Sequence, residues 1–272
     1  MTSLKEQLIS IQQNNYQAPP HIFEWVIQMV AQIGSLDDEL RDDLIYSILS
    51  QWIQDGVLTD EELSRLVSII LDDQHLFYQI GENGTDSVFT RSFSVLQIPV
   101  LLIRHRNQPF LTKEQVHEIK TKVFNYLQAE KDLRGYVEGK GWAHAVAHGA
   151  DALAELAQAN ELEKEDLHTI LKLVRSTVTT PQSMYTDEED ERMVKVAIRV
   201  WQRNLVTPEE MNAWVRSLAD LEGSGYTLRI RQVNTKSFLR SLYFRVKLVG
   251  VDGLYELPIE EVLRSQGRWL TV

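Results

Sequence analysis

The feature that most narrows the folds open to this chain is a hexamer that returns five times. LTDEEL begins at Leu58, LTKEQV at Leu111, LEKEDL at Leu162, VTPEEM at Val206 and LPIEEV at Leu257. Each copy reads apolar, x, x, Glu, acid or amide, apolar. This is the chemistry of a helix entrance. An apolar residue precedes a capping position, which is Thr59, Thr112 or Thr207 in three copies, and a glutamate follows in the first turn, where the helix dipole favours negative charge. The copies stand 53, 51, 44 and 51 residues apart.

Each interval has room for two helices. The first starts at the hexamer; the second is expected near Ser87, Gly141, Asp187 and Asn234. A helix pair recurring every ~40–50 residues is the pattern of an α-solenoid of the HEAT or armadillo type. A non-repetitive helical bundle is the alternative. The segments between agree with helix. IFEWVIQMVAQI, LIYSILSQWI, LSRLVSIIL, VHEIKTKVFNYL, LHTILKLV and MVKVAIRVW all place apolar residues three and four apart. Alternation surfaces only in FRVKLVGVDGLYEL, where a hairpin competes with an amphipathic helix through NTKSFLRSLYFRVKL. The chain holds only 13 glycines and 7 prolines, too few for a many-stranded sheet. The expected fold is all-α, in one domain from 1 to 272. Residues 1–57 form an N-terminal helical cap and residues 58–272 the helix pairs.

Composition limits function by exclusion. The chain has no cysteine, which removes disulfides, thiol catalysis and cysteine-bound zinc. Its formal net charge of −11 argues against nucleic acid and against an anionic membrane as partner, because phosphate binding needs a basic surface or stripe. The start, MTSLKEQLISIQQNN, has no basic stretch leading into an apolar run. VLQIPVLLI, Val95 to Ile103, is too short to span a bilayer and contains Pro99. The expectation is a cytoplasmic protein. DEED, Asp187 to Asp190, and Asp72–Asp73 read as solvated helix ends.

One stretch stands out chemically: GWAHAVAHGADALAEL, Gly141 to Leu156. On an ideal helix with His144 at zero, His148, Asp151 and Glu155 fall at about +40°, −20° and +20°. Trp142, Val146, Gly149, Leu153 and Leu156 take the opposite face, and Ala143, Ala147, Ala150 and Ala154 a flank narrow enough for close helix approach. The polar stripe is thus expected to face solvent or a groove. In a helical-pair array the second helices line the concave side, so Arg91 on one neighbour and Glu191, Lys195 and Arg199 on the other are its expected companions. The approach, KDLRGYVEGKGW, carries Gly135, Gly139 and Gly141 beside Arg134, Tyr136 and Lys140. Glycines before a helix can aim backbone N–H groups at an anion, or can simply form a turn.

DLRGY followed by GKGWAHAVAHGADALAEL, with NTKSFLRSLYF (Asn234 to Phe244) further on, resembles the signature of an uncharacterised family of helical proteins from Gram-positive bacteria, a domain of unknown function. The resemblance covers most of the chain. It implies an all-helical fold and brings no activity, substrate or catalytic residue with it.

The residues themselves allow several chemistries. Histidines four apart on a helix can chelate one ion, so His144, His148 and Asp151 are the candidate ligands of a divalent metal, with Asp132 and Glu138 nearest in sequence to complete it. Ala145 stands where a zinc peptidase carries its glutamate base, which excludes that mechanism. Asp151 also lies about 10 Å along the axis from His144, too far for all three to share an ion easily. Alternatively, the two imidazoles in different fields can act as acid and base without metal. The favoured reading is a recognition groove for a peptide, a protein or a small polar ligand, formed by His144, His148, Asp151 and Glu155 with Arg134, Tyr136, Lys140, Arg91 and Arg240. A metal-dependent hydrolase on the same stripe is the alternative. From Tyr226 to Leu248 the chain carries Arg229, Arg231, Lys236, Arg240, Arg245 and Lys247 without an acid. These either dock an acidic or phosphate-bearing partner or pair with acidic helix starts nearby.

Overall fold

The structure, a computed structural model, describes residues 2–248 and 256–266. It is all-α apart from one two-stranded hairpin among the described residues. Its contacts gather into two compact units, Met1–Ala152 and Leu153–Val272.

The first unit holds α1 (Leu4–Gln13), α2 (Ile22–Val30), a π-helical stretch (Glu39–Tyr46) that runs into α3 (Ser47–Gln54), α4 (Asp60–Ile70), α5 (Ser87–Asn107) and α6 (Lys113–Ala129). The strands β1 (Tyr136–Val137) and β2 (Gly141–Trp142) and most of α7 (Ala145–Leu156) follow. The hexamers act as read. Thr59 accepts from the Glu62 amide while Glu62 accepts from the Thr59 amide, and Thr112 and Gln115 repeat the exchange. Each pair satisfies two of the N–H groups that a helix start leaves over. The centre of the unit is α5, buried on nearly every side and packed on α3 and α4. Pro99 lies in its interior. Proline has no N–H to return to the carbonyl four residues back, yet the helix continues, held by the apolar residues Val95, Ile98, Leu101 and Leu102.

The second unit holds α8 (Lys164–Val178), α9 (Glu189–Gln202), α10 (Pro208–Ser217), α11 (Gly225–Leu248) and α12 (Glu256–Ser265). Asp166 accepts from the Glu163 amide at the start of α8. Thr207 and Glu210 form the reciprocal cap of α10, with Pro208 in the first turn, where its missing N–H is harmless. Glu210 also meets Lys164 at 2.8 Å; that bond, then the cap, pulls its pKa down to about 2. α11 packs on α8, α9 and α12. Trp214 donates to the Leu171 carbonyl at 2.8 Å and meets Phe238 edge-on.

Four hexamers therefore open α4, α6, α8 and α10, and a second helix follows each. Two expected starts shift. α7 begins at Ala145, not Gly141, because Gly141–Trp142 pairs as a strand. α11 begins at Gly225, nine residues before Asn234. The fifth hexamer, at Leu257, lies inside α12 rather than ahead of it. The competing hairpin is helical through Leu248, and its residues 249–255 lie outside the described residues.

Candidate functional site

The approach to α7 is a hairpin. Tyr136 pairs with Trp142 and Val137 with Gly141. The Lys140 amide closes the turn onto the Val137 carbonyl at 3.0 Å, and Gly139 takes φ +73°. Gly141, at φ +77°, is required twice over. A Cβ there would stand 2.8 Å from Cβ of Asp38 and 2.9 Å from Nη2 of Arg41. Arg41 is fully buried. It donates to the carbonyls of Lys140 at 2.8 Å and Ser35 at 2.6 Å, and its guanidinium lies over the rings of Phe89 and Phe93. Its partner Asp42 sits 2.7 Å away. Even so, burial pushes the Asp42 carboxyl up to about 6 and the Arg41 pKa down, so desolvation outweighs the pairing on both sides.

His144 precedes α7 in the left-handed region, at φ 45°, which costs energy for a residue with a Cβ. Its amide donates to the Arg134 carbonyl and that of Ala143 to the Gly135 carbonyl. These bonds join the hairpin to the helix. They turn the amides of Ala143 and His144 onto the protein's own carbonyls, so neither is aimed at an anion.

A ladder of rings results. Tyr136 and Trp142 meet edge to face at 5.0 Å, and Trp142 stacks on His144 at 4.2 Å. His144 meets His148 at 5.7 Å, and His148 meets Phe93 at 5.2 Å, both edge-on. The ladder runs inward from Tyr136, 53% exposed, and Trp142, 40% exposed, to buried His148 and Phe93. Nδ1 of His148 donates to the Ser92 carbonyl at 3.2 Å, which sets the orientation of its ring.

The expected open stripe is thereby corrected. His144 lies off the helix, and His148, Asp151 and Glu155 are buried. Trp142, assigned to the core face, is exposed on β2. The whole of α7 is buried, including Ala147, Ala150 and Ala154 of the flank and His148, Asp151 and Glu155 of the stripe. Gly149 lets it close on α6: a Cβ there would meet Leu127 at 2.6 Å.

The expected cationic companions are engaged. Arg91, expected in a groove, is fully buried and bidentate to Glu130, Nε to Oε2 at 2.7 Å and Nη2 to Oε1 at 2.9 Å; it also donates to Ser87 and to the carbonyls of Tyr78 and Gln79. Arg134 is forked onto buried Asp132, which raises its pKa, and Lys140 pairs with Asp86 at 2.6 Å. Arg41, Asp86 and Glu130 had no signal in the sequence. Their partners lie 99, 54 and 39 residues away.

In the second unit a cavity of about 560 Å³ runs along α9. Arg192, Lys195, Arg199 and Arg245 line it with Glu188, Glu191 and Gln202. Glu155 approaches Lys195 at 3.8 Å, and Glu191 meets Arg245 at 3.1 Å. With Glu155 counted, four cations face three carboxylates, an excess of one positive charge. On α11, Arg245 and Lys247 reach the acidic starts of α9 and α12, the latter through Glu256 at 2.6 Å. Arg231 donates to the Thr179 carbonyl. Arg240 is exposed and, with Arg229, lowers the pKa of Lys236 after burial has done so. Among the described residues no group of three or more His, Asp or Glu side chains is arranged to hold a metal ion, and no helix is long and apolar enough to cross a membrane.

These elements define an all-helical protein with a short hairpin set into its first unit. The family model described as Protein of unknown function (DUF2785) matches residues 76–244, from just before α5 into α11, and the chain belongs to that family. No curated protein and no solved structure matches the chain.

Proposed function

We propose that this chain is a binding protein of the HEAT-like helical-repeat type, and that it takes a ligand bearing carboxylates, a small polar molecule or an acidic peptide, in the cavity along α9. The observation that carries this reading is the positive lining of a cavity of about 560 Å³, a volume within the range of small-molecule sites. Helix order supports it. α9 is the second member of its pair, and second helices line the concave side of such arrays. Guanidinium groups suit carboxylates because their N–H donors match two oxygens at once. Glu188 and Glu191 add selectivity, since they repel ligands whose charge is in the wrong place.

The test is a titration of the parent and an Arg199→Glu variant with citrate and with a fluorescein-labelled hexaglutamate peptide. Arg199 engages only Gln202 through its side chain among the described residues, so the variant is expected to fold. At least one probe should bind the parent, and the variant should lose about tenfold or more, the scale of one charge-assisted contact. Binding of neither probe, or equal binding by the variant, overturns the proposal.

A further inference from the structure

The β1–β2 hairpin shows two large rings to solvent and packs them against each other. Tyr136 and Trp142 are 53% and 40% exposed, yet they pack on each other, and Trp142 packs on His144. The turn is fixed from below by Arg41 on the Lys140 carbonyl and from the side by Lys140 on Asp86. His144 keeps a strained backbone beside them. A hairpin needed only to join α6 to α7 requires neither exposed rings nor such support. Rings already ordered lose little entropy when a partner arrives.

The charge around the rings selects the partner. The two cations nearest the rings in sequence are neutralised within the protein: Arg134 by Asp132, Lys140 by Asp86. Glu138 is exposed at the turn, two residues beyond Tyr136, and has no ion-pair partner among the described residues. Glu82 is held ionised by the hydroxyls of Thr85 and Ser87, in the loop that also bonds Asp132 and Arg134. Aromatic faces with an uncompensated carboxylate two residues on, at the adjoining turn, match a guanidinium, which stacks on a ring and pairs with an acid at once. The net charge of −11 draws cations towards the chain.

We propose that the β1–β2 hairpin is a docking site for a basic polypeptide segment, with an arginine side chain laid on Tyr136 and Trp142 and paired to Glu138. The site is separate from the α9 cavity and does not depend on that reading.

The experiment measures fluorescence anisotropy of a fluorescein-labelled peptide of alternating Arg and Ser, with the full chain, at 50 and 300 mM NaCl. The Lys–Ser and Glu–Ser peptides serve as comparisons. The Arg peptide should bind best, the Lys peptide more weakly and the Glu peptide not at this site. Tyr136→Ser and Glu138→Gln should each weaken the Arg peptide about threefold to tenfold, while Arg199→Glu leaves it unchanged. Both hairpin substitutions are at exposed positions, and circular dichroism checks that each variant is folded. Unchanged affinity in both hairpin variants overturns the proposal, as does equal binding of the Lys and Arg peptides or loss of binding in Arg199→Glu alone.

Discussion

Arg91 and Glu130 form a charged pair with almost no access to water. Taking either charge out of water is expensive, and each offsets the other's cost through two parallel hydrogen bonds. Removing one partner strands the other. Arg91→Met should therefore lower unfolding stability by about 3–5 kcal/mol, read from urea unfolding at pH 7. Replacing both residues by methionine should recover much of that loss, because no buried charge is left uncompensated. A single substitution costing under about 1 kcal/mol would mean that Glu130 finds another partner. Sequence could mark Arg91 as a charged residue on a helix but not its burial, because Glu130 lies 39 positions away. Arg41 is the stronger case: its acceptor at Lys140 is 99 positions distant, and the arginine itself sits in an ordinary-looking LRDDLIY.

At the scale of elements, the helix entrances were the most legible feature. A capping box spans four residues, so everything that makes it is present in the local sequence. Thr59, Thr112 and Thr207 all form the bonds their spacing implies. Each Thr→Ala substitution should cost about 1 kcal/mol, measured as a shift in the urea midpoint. Three substitutions without effect would show that packing alone sets these starts. α7 was less legible. Its wheel was correct in period and wrong in environment, because periodicity reports which residues share a face, not whether the opposite face is also covered. The bend at His144 was equally hidden. It arises because the amides of Ala143 and His144 bond back to Gly135 and Arg134, a closure that depends on the hairpin's fold.

At the scale of the whole chain, the family match begins at Leu76, after α4. The helices before it cover part of the matched region, since α5 packs directly on α3 and α4. A fragment of residues 76–244 should expose the apolar side of α5 that these helices cover and should aggregate or melt without cooperativity. A monomeric fragment with a sharp thermal transition would show that α5 needs no cover from them. The all-helical class, four helix entrances and the order of the helices were legible in the residues alone. All of these depend on periodicity and on contacts within one turn. Tertiary structure alone decided that the histidine helix is buried, that Arg91, Arg134 and Lys140 are held in ion pairs, that Tyr136 and Trp142 face solvent, and that the positive cavity lies along α9. Burial and pairing depend on which distant segments meet, and no local pattern encodes that meeting.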